Sequence, residues 1–140
     1  MTDTLTVQLM FQGRANAALD LYDSAIAAFE LLNRTVYGPD EMGETGQVKA
    51  AWFRVGNVRV HCFDSPVPHD FDFTPSTSLC LALKHEQAVT DTFEKLADGG
   101  TVLMPLDSYD FNPWFGWVQD RFGVSWQLSV TAPGDAKANG

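Results

Sequence analysis

Apolar and polar positions follow the same order in the two halves of the chain, and this order predicts the secondary structure. In the first half, the apolar run Leu5–Phe11 predicts a strand, and apolar residues at helical spacing over residues 14–26 predict an amphipathic helix. Three further runs with strand-like composition follow, at Phe29–Tyr37, Val48–Val55 and Val58–Phe63. The last two are predicted to form a hairpin, because the Gly-Asn pair between them is a favourable two-residue turn.

The second half repeats this order at an offset of about 70 residues, which indicates an internal duplication. A strand is predicted at Ser78–Lys84 and a helix at Glu86–Asp98, which Gly99 and Gly100 end with a left-handed cap. The remaining predicted strands are 101–106, 114–121 and 124–130. We therefore predict an α+β fold made of two tandem β-α-β-β-β modules.

The proline-rich segment between the two halves is the predicted linker. We expect one domain over residues 1–140, with module one at 4–64, the linker at 65–76, module two at 77–131 and a disordered tail at 132–140. The turn-forming residues Asp107–Pro113 predict a loop between two strands, and its hypothetical role is that of a lid over a bound ligand.

The charge of the chain excludes two classes of partner. Its 140 residues include 9 Lys and Arg and 18 Asp and Glu, a formal net charge of −9. An acidic surface repels phosphate backbones and anionic lipids, so we expect neither nucleic acid nor a membrane as partner. The N-terminus lacks the basic start and apolar core of a signal peptide. We expect a cytoplasmic protein whose Cys62 and Cys80 are reduced and buried.

Five segments resemble one known family. GRANAALDLY, at residues 13–22, resembles the opening helix of the vicinal oxygen chelate superfamily, which includes glyoxalase I, bleomycin-resistance proteins and extradiol dioxygenases. Four others resemble its PhnB-like branch, often labelled 3-demethylubiquinone-9 3-methyltransferase. They are FTPSTSLCL (73–81), DGGTVLMPLDSYDF (98–111), FGWVQDRFG (115–123) and VSWQLSV (124–130). With the opening strand and helix, the resemblance covers nearly the whole chain.

The resemblance implies that the two modules form a glyoxalase/bleomycin-resistance-type open barrel around a concave cavity, and that the protein is a homodimer. In metal-using members of the superfamily, the ligands come from the first and last strands of the modules. Carried over by motif, these positions fall on Gln8, Ser78 and Gln127, and a fourth falls on either Val60 or His61. A divalent metal at these positions is one alternative. Neutral amides and hydroxyls, however, supply no charge to offset the desolvation of the ion.

We predict instead a cavity whose polar groups hydrogen-bond a small organic molecule, and no other cofactor. Its predicted lining residues are Gln8, His61, Ser78, Trp117 and Gln127. Aromatic residues cluster between positions 111 and 126, which favours a flat or apolar ligand.

Three alternatives for the activity stay open. The first is a metal-dependent lyase, isomerase or dioxygenase, and the second is a non-catalytic protein that sequesters a toxic compound. The third is a methyltransferase, as the label of the branch suggests. Against the third, no Gly-rich turn that would cradle a nucleoside cofactor follows the first strand.

Overall fold

The computed structural model describes residues 2–131, so the tail predicted to be disordered at 132–140 lies outside the described residues. The chain divides into two compact units after Asp70, within the predicted linker. The elements of the first unit are β1 (Val7–Phe11), α1 (Ala15–Ala25), β2 (Phe29–Val36), β3 (Val48–Val55) and β4 (Val58–Asp64). Those of the second are β5 (Ser78–Leu83), α2 (Glu86–Ala97), β6 (Thr101–Tyr109), β7 (Asn112–Gln119) and β8 (Ser125–Val130). Neither described helix is long and apolar enough to cross a membrane.

Each unit has one open four-stranded sheet in which the first strand lies beside the last. The strand orders are β1-β4-β3-β2 and β5-β8-β7-β6. The pairs β1/β4 and β5/β8 are parallel, and the other neighbours are antiparallel. The predicted α+β fold of two tandem β-α-β-β-β modules is confirmed.

One face of the first sheet packs on α1. Alternate residues of the strands bury their side chains there, as the two-residue period of a strand requires. The buried strand residues are Leu9, Phe11, Ala51, Phe53, Val60 and Cys62. Tyr22 of α1 contacts Phe53 with the ring centroids 6.1 Å apart. The alanines of α1 favour the helix, and Ala15 and Ala18 are fully buried.

The second sheet packs on α2 in the same way. Trp114 Nε1 donates a hydrogen bond of 2.8 Å to Thr90 Oγ1 on the helix. A Cβ atom at Gly116 would lie 2.5 Å from the ring of Phe93, so the helix can approach this closely only because position 116 has no side chain. Gly99 has φ of +77°, which confirms the predicted left-handed stop after α2.

A buried carboxylate ties the first unit together. Asp64, at the end of β4, is fully buried. Its Oδ1 accepts the N–H groups of Gly13 (2.8 Å) and Ala15 (3.0 Å), and its Oδ2 accepts that of Val48 (2.9 Å). These bonds join the start of α1 to β3 and β4, and they satisfy N–H groups that have no partner within the helix.

The second unit has a comparable group in Asp120, which is 3% exposed. Its Oδ1 accepts the N–H groups of Phe122 (2.9 Å) and Val124 (3.1 Å), and its Oδ2 accepts Nε1 of Trp126 (3.0 Å). This carboxylate therefore fixes the turn between β7 and β8, and with it the register of the hairpin.

The predicted loop at Asp107–Pro113 is wrong. β6 continues to Tyr109 and β7 begins at Asn112, so that only two residues connect the strands. The rings of Tyr109 and Phe111 each contact Phe115 edge-on, at centroid distances of 5.7 and 4.9 Å. These ring contacts stabilise the end of the hairpin despite the turn-forming residues. The segment is therefore not a loop of the kind that the lid hypothesis requires.

Candidate functional site

In the first unit, the face of the sheet opposite α1 carries a row of polar and aromatic side chains. The register places Gln8 of β1 and Trp52 of β3 on either side of His61 of β4. His61 Nδ1 lies 3.1 Å from Gln8 Oε1, and the rings of His61 and Trp52 have centroids 4.8 Å apart at 59°. Two predicted site residues, Gln8 and His61, are therefore in direct contact.

The contact with Gln8 fixes which atoms of His61 are available to a ligand. An amide oxygen can only accept, so Nδ1 carries the hydrogen and donates it to Gln8 Oε1. In the neutral ring, Nε2 then has the lone pair, and it has no hydrogen-bond partner within residues 2–131. Nε2 can therefore accept a hydrogen from a bound molecule.

An arginine lies beside this row. The guanidinium carbon of Arg59 is 4.8 Å from the centroid of the Trp52 ring, within the range of a cation–π interaction. The register pairs Arg59 with Arg54 on the neighbouring strand, and Arg54 forms an ion pair with Glu30. Arg59 forms no ion pair with any of the described residues.

In the second unit, a chain of hydrogen bonds crosses the corresponding face. Trp117 Nε1 donates to Ser125 Oγ (2.8 Å), and the hydroxyls of Ser125 and Ser78 are 2.6 Å apart. Gln127 Nε2 in turn donates to Ser78 Oγ over 3.4 Å. The structure thus brings together the three predicted site residues of this unit, Ser78, Trp117 and Gln127.

The second unit repeats the cross-strand pair at the centre of the row in the first unit. Trp117 lies opposite Gln127 across β7 and β8, as Trp52 lies opposite His61 across β3 and β4. By this register the counterpart of Gln8 is Cys80, which pairs with Gln127, whereas Ser78 pairs with Ser125. Of the two alternatives on β4, Val60 is buried on the face that packs on α1, and His61 lies on the open face beside Trp52.

No sequence pattern assigns a role in the site to Trp52, Arg59 or Ser125. The one sequence signal for Trp52 is its equivalence to Trp117, which becomes visible when the two hairpins are aligned with each other. Arg59 and His61 are two positions apart on β4, which predicts that they share a face. This spacing does not predict that Arg59 lies over an aromatic ring.

Comparisons with known proteins agree with this fold. The family model for 3-demethylubiquinone-9 3-methyltransferase matches residues 3–129. The chain belongs to this family. The PhnB protein from Bacillus cereus is 39% identical and superposes with a TM-score of 0.87, covering 92% of this chain and 100% of that one. No curated protein matches the chain.

More distant solved structures share the fold of the family. A glyoxalase-related enzyme from Fulvimarina pelagi is 15% identical, with a TM-score of 0.67 over 94% of this chain and 89% of that one. A glyoxylase/bleomycin resistance protein/dioxygenase domain from Frankia sp. is 13% identical, with a TM-score of 0.67 over 100% of this chain and 99% of that one. These structures show that the fold of this chain recurs in proteins of low sequence identity.

The family description implies a methyl donor such as S-adenosylmethionine, and the turn between β1 and α1 does not fit a nucleoside cofactor. The turn has a single glycine, and the N–H groups of Gly13 and Ala15 already donate to Asp64. A Cβ atom at Gly13 would lie 2.9 Å from Gln47 Nε2, so the space beside the glycine is filled by the protein itself. No methyl-transfer step follows from these residues.

The side chains on the open faces also do not fit the ligands of a divalent transition metal. Within residues 2–131, no three His, Cys, Asp or Glu side chains come together as a metal site would require. The predicted positions supply one imidazole, amides and a hydroxyl, and Gln8 Oε1 and Ser78 Oγ are occupied by protein hydrogen bonds. No metal-dependent step follows from this set.

Two concavities of the described chain lie away from these residues. One of about 600 Å³ is lined by residues of α2 and the position after it, including Phe93, Glu94 and Asp98. The other, of about 290 Å³, lies beside the linker at Gln12 and Pro66. None of the predicted site residues lines either concavity, so the candidate site in each unit is the open face of its own sheet.

The two cysteine thiols differ in their exposure to solvent, and the prediction that both are buried is wrong for Cys80. The alternation of β5 turns Cys80 to the open face, where it is exposed. Cys62 is fully buried on the face that packs on α1. Burial, and then the charge of Asp64, raises the pKa of Cys62 to about 12, so this thiol is uncharged at neutral pH.

This difference predicts a selective labelling pattern. Iodoacetamide at pH 8 is expected to modify Cys80 in the native protein and to leave Cys62 unmodified, because the thiolate is the reactive form. Mass spectrometry of the intact protein should show one adduct per chain, and two after unfolding in urea. The variant Cys80→Ser should show no native adduct. A native adduct on Cys62 would contradict the structure.

Proposed function

We propose that this chain binds a small planar organic molecule on the open faces of its sheets, through ring stacking and hydrogen bonds. One observation carries the proposal. In each unit, a half-buried tryptophan lies on the face opposite the helix, beside a hydrogen-bonding side chain of the last strand. The pairs are Trp52 with His61 and Trp117 with Gln127.

Physical chemistry explains why such a pair favours binding. An aromatic ring that keeps one side accessible gains about 1–3 kcal/mol when a flat ring stacks on it. Polar groups at its edge orient the ligand, since His61 Nε2 accepts hydrogens and Gln127 supplies an amide. Apolar surface with a few polar groups is the usual composition of a small-molecule site.

The groups in these rows support binding better than turnover. A nucleophile needs a neighbouring base to take its proton, and the hydroxyls of Ser78 and Ser125 have each other and Trp117 as partners. The imidazole of His61 contacts an amide and an aromatic ring. A sequestering protein is therefore the form of this function that we favour.

Replacing both tryptophans is expected to weaken binding in both units. The variant Trp52→Leu/Trp117→Leu keeps apolar bulk but removes the stacking surface of each unit, so affinity for a panel of planar bicyclic compounds that includes 2-naphthamide should fall by about tenfold or more. Each single variant should weaken binding in its own unit and keep the original affinity in the other. Isothermal titration calorimetry measures these affinities.

Trp114→Phe is the matched control, because Trp114 faces α2 and bonds Thr90. It should bind the panel as the original chain does. The proposal is wrong if no member of the panel binds at millimolar concentration, or if the double variant binds as well as the control.

We propose in addition that the chain acts as a homodimer in the cytoplasm. The dimer rests on the resemblance to the superfamily, and the location on two cysteines that are not paired.

A further inference from the structure

Building on the function proposed above, we infer that the row of the first unit takes a planar molecule that carries a carboxylate, and that Arg59 is the partner of this carboxylate. The inference names the class of ligand and assigns a specificity-determining residue on β4. It depends on three features of Arg59: its position over Trp52, its unbalanced charge and its spacing from His61.

The position of Arg59 leaves its donors available. Its guanidinium carbon lies 4.8 Å from the centroid of Trp52, so the aromatic ring supports the side chain. A guanidinium above a ring keeps its N–H groups along its edge, where they match the two oxygens of a carboxylate. Trp52 therefore holds the arginine in place without using its hydrogen-bond donors.

The charge of Arg59 is not balanced within the described chain. Arg54 and Arg59 are paired across β3 and β4, a like-charged arrangement that is unfavourable by itself. Glu30 forms an ion pair with Arg54, and no described carboxylate does so with Arg59. The side chain of Arg59 is exposed, so an anionic ligand can reach its guanidinium group. A ligand carboxylate would supply the missing charge.

The spacing along β4 suits one small aromatic acid. Arg59 and His61 are two positions apart on the same strand, which places them roughly 7 Å apart on one face. Both lie 4.8 Å from the ring of Trp52. A flat ring lying along this row can direct a carboxylate to Arg59 and a hydroxyl or amine hydrogen to His61 Nε2.

Two probes of nearly the same shape test the inference. 2-Naphthoate and 2-naphthamide differ in charge at one substituent, and calorimetry gives the dissociation constant of each for the full chain at low salt. We expect naphthoate to bind about fivefold more tightly, in keeping with a charge-assisted bond at an exposed site. Arg59→Gln should remove this preference. Arg54→Gln should keep it, because the charge of Arg54 is already paired with Glu30.

The outcomes separate the inference from the proposed function. If naphthamide binds and naphthoate binds no better, the inference is wrong and the proposed function stands. The inference is also wrong if the preference survives in Arg59→Gln or if neither probe binds, and the proposed function fails with it only if no member of the planar panel binds. Salt gives a measurement that needs no variant: in the original chain, 0.5 M NaCl should reduce the preference for naphthoate and leave naphthamide binding unchanged.

Discussion

Asp64→Asn is expected to lower the free energy of unfolding by about 3 kcal/mol or more. The carboxylate of Asp64 is fully buried and accepts three backbone N–H groups. An asparagine has one acceptor oxygen, so its NH₂ group would face at least one N–H donor. A buried donor without an acceptor loses its hydration and gains no bond, and this loss outweighs the similar shape of the two side chains.

Urea unfolding, followed by tryptophan fluorescence and circular dichroism, measures this effect. The control is Asp20→Asn, which makes the same chemical change at an exposed position of α1 and should alter the unfolding free energy by less than about 0.5 kcal/mol. A loss below 1 kcal/mol in Asp64→Asn would mean that the three hydrogen bonds do not hold the first unit together as the structure indicates.

Gly100→Ala is expected to destabilise the second unit by about 2–4 kcal/mol. A Cβ atom at position 100 would lie 2.2 Å from the carbonyl oxygen of Gln119 and 3.0 Å from Cα of Asp120. Both contacts are with backbone, which cannot turn aside as a side chain can. The end of β7 must therefore shift, and with it the carboxylate of Asp120 that holds the turn to β8.

The same unfolding measurement applies to Gly100→Ala, with Gly38→Ala as the matched control. A Cβ atom at Gly38 would lie 3.4 Å from Glu41 Oε1, at the end of a flexible side chain, so the control should lose less than about 1 kcal/mol. Equal losses in the two variants would show that the close approach at position 100 is relieved without cost.

Local patterns predicted most of the fold. The two helices and the order of the strands follow from periodicity, and Gly99 marks the end of α2 as its conformation requires. The hairpin of β6 and β7 was missed in part, because Asp107–Pro113 has the composition of a loop. The rings of Tyr109 and Phe111 contact the ring of Phe115. Local composition does not reveal these contacts, which outweigh the turn-forming tendency of the segment.

The sequence predicts which residues of the candidate site share a face of the sheet, but not which of their side chains are in contact. Alternation along β4 and the motif on β1 identified Gln8 and His61, which the structure places 3.1 Å apart. Trp52 and Arg59 were missed because a strand sequence does not state which residue of the neighbouring strand lies opposite. Asp64 was the last residue before the predicted linker, and nothing local indicates that its carboxylate is buried against the start of α1.

The pairing of each first strand with its last has a consequence for synthesis on the ribosome. Gln8 and His61 are neighbours in the sheet but 53 positions apart in the chain, so β1 emerges long before β4 exists to receive it. At ribosomal speed this interval lasts on the order of several seconds, during which the apolar side chains of β1 have no partner strand. The first sheet can nevertheless be completed before most of the second is translated, which lets the nascent chain mature one half at a time.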